Sequence, residues 1–181
     1  MRVVIDANVV AYYYREKVKC HSPPGTGPAE QVIQRLGPLD TAIIDSGGRI
    51  KAEWGDDRRV DEDWFGNWYE DQLIVGGVSI KEVDDCKDLI RHLADKCGFP
   101  ERKENRWYLC VARALSTEQG GRVVLVTEDV DFFDPTDKGR SQHRDRTLDR
   151  QTGCVTRYLL RKEGIVVRTI KGFLEDCRDG H

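Results

Sequence analysis

Two apolar runs in this chain stop abruptly at carboxylates. Val3 to Ile5 ends in Asp6, and Val123 to Val126 ends in Thr127, Glu128, Asp129 and Asp131. Short runs rich in β-branched residues predict buried strands of a parallel sheet, where ligands sit in the crevice beyond the carboxyl ends. Asp6 therefore either faces a site or caps the helix that begins over Val9 to Tyr14. Asn8 is short and polar enough to hold the Asp6 carboxylate or a bound water. Acids at two strand ends repel one another and are costly to bury unpaired, so a cation is expected between them. Mg2+ or Mn2+ is the simplest candidate, since both take oxygen donors and are usually held by one or two carboxylates plus waters and substrate phosphate.

The elements that must position these acids follow from pattern. Thr41 to Ile44, closed by Asp45, Ser46, Gly47 and Gly48, predicts a second strand and a capped helix start. That helix carries Ile50 and Glu53, which puts Glu53 near the carboxyl edge of the sheet. A helix from about Glu104 to Ser116 is apolar almost all round and should lie between layers, with Glu104 and Asn105 in its first turn. Further helices are predicted over Ala29 to Leu36, Asp61 to Val75, Val83 to Cys97 and Val155 to Glu163, with a last strand over Ile165 to Ile170. The fold class expected is α/β, a three-layer sandwich around a central parallel sheet. Trp54, Trp64 and Trp68 either stack unpaired bases or pack helix on helix, and packing is the commoner use of such residues.

Length and charge bound the rest. The 181 residues suit one domain, 1–181, with a polar basic loop insert at about 134–153. No run approaches a membrane span, and an acid at the sixth residue is unlike a secretory signal, so a soluble cytoplasmic protein with no membrane partner is expected. The six cysteines form no CxxC pair and several fall on helical apolar faces, which reads as reduced core thiols; Cys20 beside His21 has no further ligand nearby. A net charge of -3 argues against binding of nucleic acid by bulk electrostatics alone. Its distribution is polar, however. Eight Lys and Arg against Asp145 and Asp149 give the stretch from Lys138 to Lys162 a local +6. Arg140, Arg144, Arg146 and Arg150 either hold the phosphates of a strand or are ordinary surface arginines.

In this order the segments VVIDAN, IIDSGGRIKAEW from Ile43, NRWYLCVARA from Asn105 and VLVTEDVDFF from Val124 resemble a PIN domain, a fold of metal-dependent nucleases. The resemblance covers most of the chain, and its most specific element is T-x-D-x-D-F, Thr127 to Phe132. It implies that Asp6, Glu53 and Asp129 are the catalytic and metal-binding acids. Asp131 would assist either from behind these acids or as a further ligand, and Asn8, Asn105 and Thr127 would support from behind. The family places an aspartate where this chain has Asn105; an amide can coordinate through its oxygen but brings no charge, and Glu104 is the alternative metal ligand.

The activity so implied is a divalent-metal-dependent endonuclease, a ribonuclease favoured over one acting on DNA, that hydrolyses phosphodiesters by an activated water. The alternative is a catalytically degenerate PIN-like module that binds nucleic acid or a protein partner. A phosphatase-like α/β enzyme is a third reading, but enzymes resembling haloacid dehalogenases want an aspartate at the place of Asn8. An antitoxin or other protein partner and a homodimer are both consistent with the resemblance.

Overall fold

The computed structural model describes residues 1–19, 23–56, 59–101, 103–135 and 153–179, with side chains in the fourth segment from Asn105 onward. Five strands pair in parallel: β1 (Arg2–Ile5), β2 (Thr41–Asp45), β3 (Val78–Lys81), β4 (Val123–Val126) and β5 (Ile165–Arg168), in the order β3-β2-β1-β4-β5. Val3, Val4 and Ile5 are all fully buried. Successive strand side chains point to opposite faces, so both faces of the sheet are covered, and β1 carries no polar alternation for that reason.

Eight α-helices among the described residues supply the cover: α1 (Ala7–Lys17), α2 (Pro28–Gln34), α3 (Arg49–Asp56), α4 (Glu62–Ile74), α5 (Lys87–Cys97), α6 (Lys103–Gln119), α7 (Cys154–Tyr158), which runs on as a π-helical turn over Leu159–Glu163, and α8 (Ile170–Arg178). Right-handed crossovers put α1 to α4 on one side and α5 to α7 on the other. The packing agrees. α1 lies on α2 and α3, α5 on α7, and α6 crosses β1, β2, β4 and β5, while α8 returns to α2. This is the α/β sandwich expected, with α6 between layers as its all-round apolarity requires.

Three features differ from expectation. β3 is an edge strand with only Val78 buried, too short and too polar to stand out by periodicity. The helix expected over Val83 to Cys97 begins at Lys87: Cys86 has non-helical backbone and gives its N–H to Cys110 Sγ at 3.1 Å, so a tertiary contact holds the preceding turn. The last strand stops at Arg168 because Thr169 caps α8 and Glu128 Oε1 accepts the Ile170 N–H at 2.8 Å.

The cysteines are the largest correction. Cys86 is bonded to Cys110 and Cys97 to Cys154, with Cα atoms 5.2 and 5.4 Å apart. Cys177 is a free thiol, and Cys20 lies with His21 outside the described residues. The core placement that suggested reduced thiols is what brings them together, since the two ends of α5 each meet a sulfur, from α6 at Cys86 and from α7 at Cys97. Among the described residues no helix is long and apolar enough to cross a membrane.

Candidate functional site

The strand order fixes where a site can form. β1 leads to β2 on one side and β4 to β5 on the other, so the connections diverge between β1 and β4, and a crevice opens at their carboxyl ends. Ile5 pairs with Val126, which sets Asp6 level with Thr127, and the Asp6 N–H donates to the Val126 carbonyl at 3.0 Å. Both acids that end apolar runs thus flank the one point in the sheet where the chain direction parts.

Asp6 is 2% exposed. One of its oxygens, Oδ2, accepts from the Thr127 hydroxyl and from Asn8 Nδ2 at 2.9 Å. Burial raises its pKa, the Thr127 and Asn8 hydrogen bonds offset part of this, and the nearby Asp129 charge adds to the rise. Thr127 Oγ1 in turn accepts the Asp129 N–H at 2.9 Å, and Asp129 Oδ1 accepts the Asp131 N–H at 2.9 Å, which caps the 3-10 turn Val130–Phe132. One hydroxyl therefore fixes the spacing of two carboxylates. Asn105 Nδ2 donates to Asp129 Oδ2 at 3.1 Å from the first turn of α6.

One turn on along α6, the buried Tyr108 hydroxyl accepts the Ala7 N–H at 3.1 Å and hydrogen-bonds Glu53. Burial, then the charges of Asp6 and Glu53, hold its pKa well above that of an ordinary tyrosine, so it stays protonated and donates to Glu53. Trp54, next to Glu53, anchors α3 by donating Nε1–H to the Ile5 carbonyl at 3.1 Å. Asp45, buried at the end of β2, takes the Ile50 N–H at 2.8 Å and the Arg49 N–H at 3.2 Å and caps that helix.

The crevice is a solvent-open cavity of about 690 Å³. Asp6, Asn8, Glu53, Asn105 and Asp129 form its acidic and amide wall; Arg49, Asp56, Arg59, Arg106 and Trp107 complete it. No protein-family model, no curated protein and no solved structure matches the chain.

The donors are all oxygens, and the carboxylate of Asp6 is buried beside another acid with, among the described residues, neutral donors against it, which is chemistry that suits a hard divalent cation. Among the described residues no three His, Cys, Asp or Glu stand close enough to enclose a metal by themselves. Magnesium does not need three, because waters and substrate phosphate fill its remaining positions. Asp6 and Asp129, with Glu53 in the same cavity lining, are the residues that could hold it.

Of the other residues expected at the site, Asn8, Asn105 and Thr127 all touch one of these acids. Asp131 is buried and is not among the residues lining the cavity. Arg140, Arg144, Arg146, Arg150 and the Glu104 side chain lie outside the described residues. Trp54 and Trp68 are core, and Trp64 stacks on Trp68 at 5.7 Å. Tyr108, Arg49, Arg59 and Trp107 were not singled out from the sequence. Only the interruption of an apolar helix by polar-tipped aromatics hinted at the first and last, and nothing hinted at the arginines.

Proposed function

We propose that the chain is a divalent-metal-dependent endonuclease of the PIN type that hydrolyses phosphodiesters, with RNA favoured over DNA by the resemblance of its motifs. The observation that carries this reading is the convergence of Asp6, Glu53 and Asp129, from three distant parts of the chain, on one open cavity at the divergence of β1 and β4. A bound Mg2+ or Mn2+ would lower the pKa of a water and offset charge building on the phosphate. The chain's own part is positional. Thr127 and Asn8 hold Asp6, the Thr127 hydroxyl and Asn105 hold Asp129, and the Tyr108 hydroxyl holds Glu53. Arg49 and Arg59 on the cavity wall counter the repulsion that this acidic wall would exert on a phosphate strand.

Asn105 supports a second reading. With an amide where similar domains carry a carboxylate, the cavity has less charge to hold a cation, and the same geometry would serve a module that binds nucleic acid or a protein without cutting. A cleavage assay on single-stranded RNA with manganese separates the two. Cleavage abolished by Asp6→Asn and by Asp129→Asn is expected of the enzyme; binding without cleavage identifies the module, and cleavage that survives both substitutions belongs to neither.

A further inference from the structure

The acids of the cavity explain how a cation is held but not how a polyanion is brought against them. A phosphate approaching Asp6 and Asp129 needs a fixed positive partner on the facing wall. Arg49 has the geometry for it. Its guanidinium lies over the Trp107 ring at 3.8 Å, and Nη1 meets Asp45 Oδ2 at 3.3 Å, yet its side chain is half exposed to the cavity. Stacking uses the face of the guanidinium plane, and among the described residues Asp45 is the acceptor its side chain meets, so N–H groups on the other edge remain for a ligand. Such an arginine loses little freedom on binding, which is what makes a stacked fork a better phosphate receptor than a free surface lysine.

The glycine beside it makes this arrangement possible. A Cβ on Gly47 would stand 2.2 Å from Arg49 Nη1 and 2.9 Å from Asp45 Oδ2, so the guanidinium folds back into space that any side chain at 47 would fill. Arg106, the other arginine near Trp107, at 5.1 Å, is already paired with Asp85 at 3.1 Å.

We propose that Arg49, laid on Trp107 and tied to Asp45 over the gap at Gly47, is the positioning residue that receives a strand phosphate and sets it against the Asp6 and Asp129 wall. This rests on the reading of the cavity as a nucleic-acid site, and its test does not require cleavage. The test measures anisotropy of a labelled single-stranded RNA of roughly 12 nucleotides with the full chain in calcium, over a salt series. Arg49→Gln is expected to weaken binding roughly tenfold and to lower the slope of log affinity against log salt by about 0.7, the loss of one phosphate contact on a single strand. Arg49→Lys restores the slope but not the affinity, because an ammonium cannot stack as a fork. Gly47→Ala leaves every charge in place and is expected to weaken binding by displacing the guanidinium.

An Arg49→Gln variant that binds less tightly with an unchanged salt slope has lost only structure, and overturns the proposal. So does a wild-type chain that does not bind the RNA. If binding and its slope change behave as expected while manganese supports no cleavage, the nuclease reading fails and the assignment of Arg49 stands.

Discussion

Asn105 donates to an oxygen of Asp129 across the mouth of the cavity, 3.1 Å away, from the first turn of α6. Without a cation this is a favourable pair, because a neutral donor faces a carboxylate. A carboxylate in its place would repel Asp129 and would be useful only with a cation bound.

Asn105→Asp should therefore lower the stability of the metal-free protein and raise its response to manganese. A loss of about 1 kcal/mol would appear as a fall of roughly 2–4 °C in melting temperature for a chain of this size. A tenfold gain in metal affinity would add about 1.4 kcal/mol at saturating manganese. Equal manganese-induced shifts in the variant and the wild type would show that Asn105 lies away from the cation.

Asp6 gives a pH dependence of defined sign. Its folded pKa is raised, by burial first and then by Asp129, so its ionisation opposes folding. The stability linked to its neutral form is complete below the unfolded carboxylate pKa and is lost as pH rises through the folded one. Metal-free Asp6→Asn should then melt no lower than the wild type at neutral pH, and its melting temperature should decline less between mildly acidic and neutral pH. A variant that is much less stable at neutral pH, with the same pH profile, would contradict this.

Thr127 serves both acids with one hydroxyl, donating to Asp6 and accepting from the Asp129 N–H. Thr127→Val keeps the shape and leaves both partners buried without it, at a cost of about 1–3 kcal/mol in urea unfolding. Thr127→Ser should recover most of that loss. A Thr127→Val variant as stable as the wild type, with Thr127→Ser the less stable of the two, would assign the effect to the methyl group and packing instead.

The disulfides make a separate claim. Cys86–Cys110 and Cys97–Cys154 tie α5 to α6 and to α7, closing loops over separations of 24 and 57 residues. Reductant should lower stability by about 2–4 kcal/mol per bond. Alkylation in denaturant without reductant should modify neither pair, as read by mass spectrometry; four modified residues among Cys86, Cys97, Cys110 and Cys154 would contradict the pairing.

The parts of this molecule legible in its sequence are those set by local pattern. β1, β2 and β4 could be read because each is an apolar run ended by an acid, and the burial of Val3, Val4 and Ile5 on both faces leaves no other assignment. β3 could not, because an edge strand with Ser79 and Ile80 exposed has no buried face to mark it. α8 was hidden behind β5 because the signals that separate them, the Thr169 cap and the reach of Glu128 to the Ile170 N–H, depend on tertiary placement. At the site, the acids were visible one by one. Their meeting depends on the strand order, which nothing local encodes, and so do the Tyr108 link to Glu53 and the seat of Arg49 on Trp107.

The proposed sharing of a cation by Asp6 and Asp129 is tested most directly by anomalous density from a crystal soaked in manganese. A peak between the two carboxylates, within coordination distance of both and lost in Asp6→Asn, is the expected result. Manganese bound elsewhere on the surface, with the space between Asp6 and Asp129 filled by water alone, would contradict it.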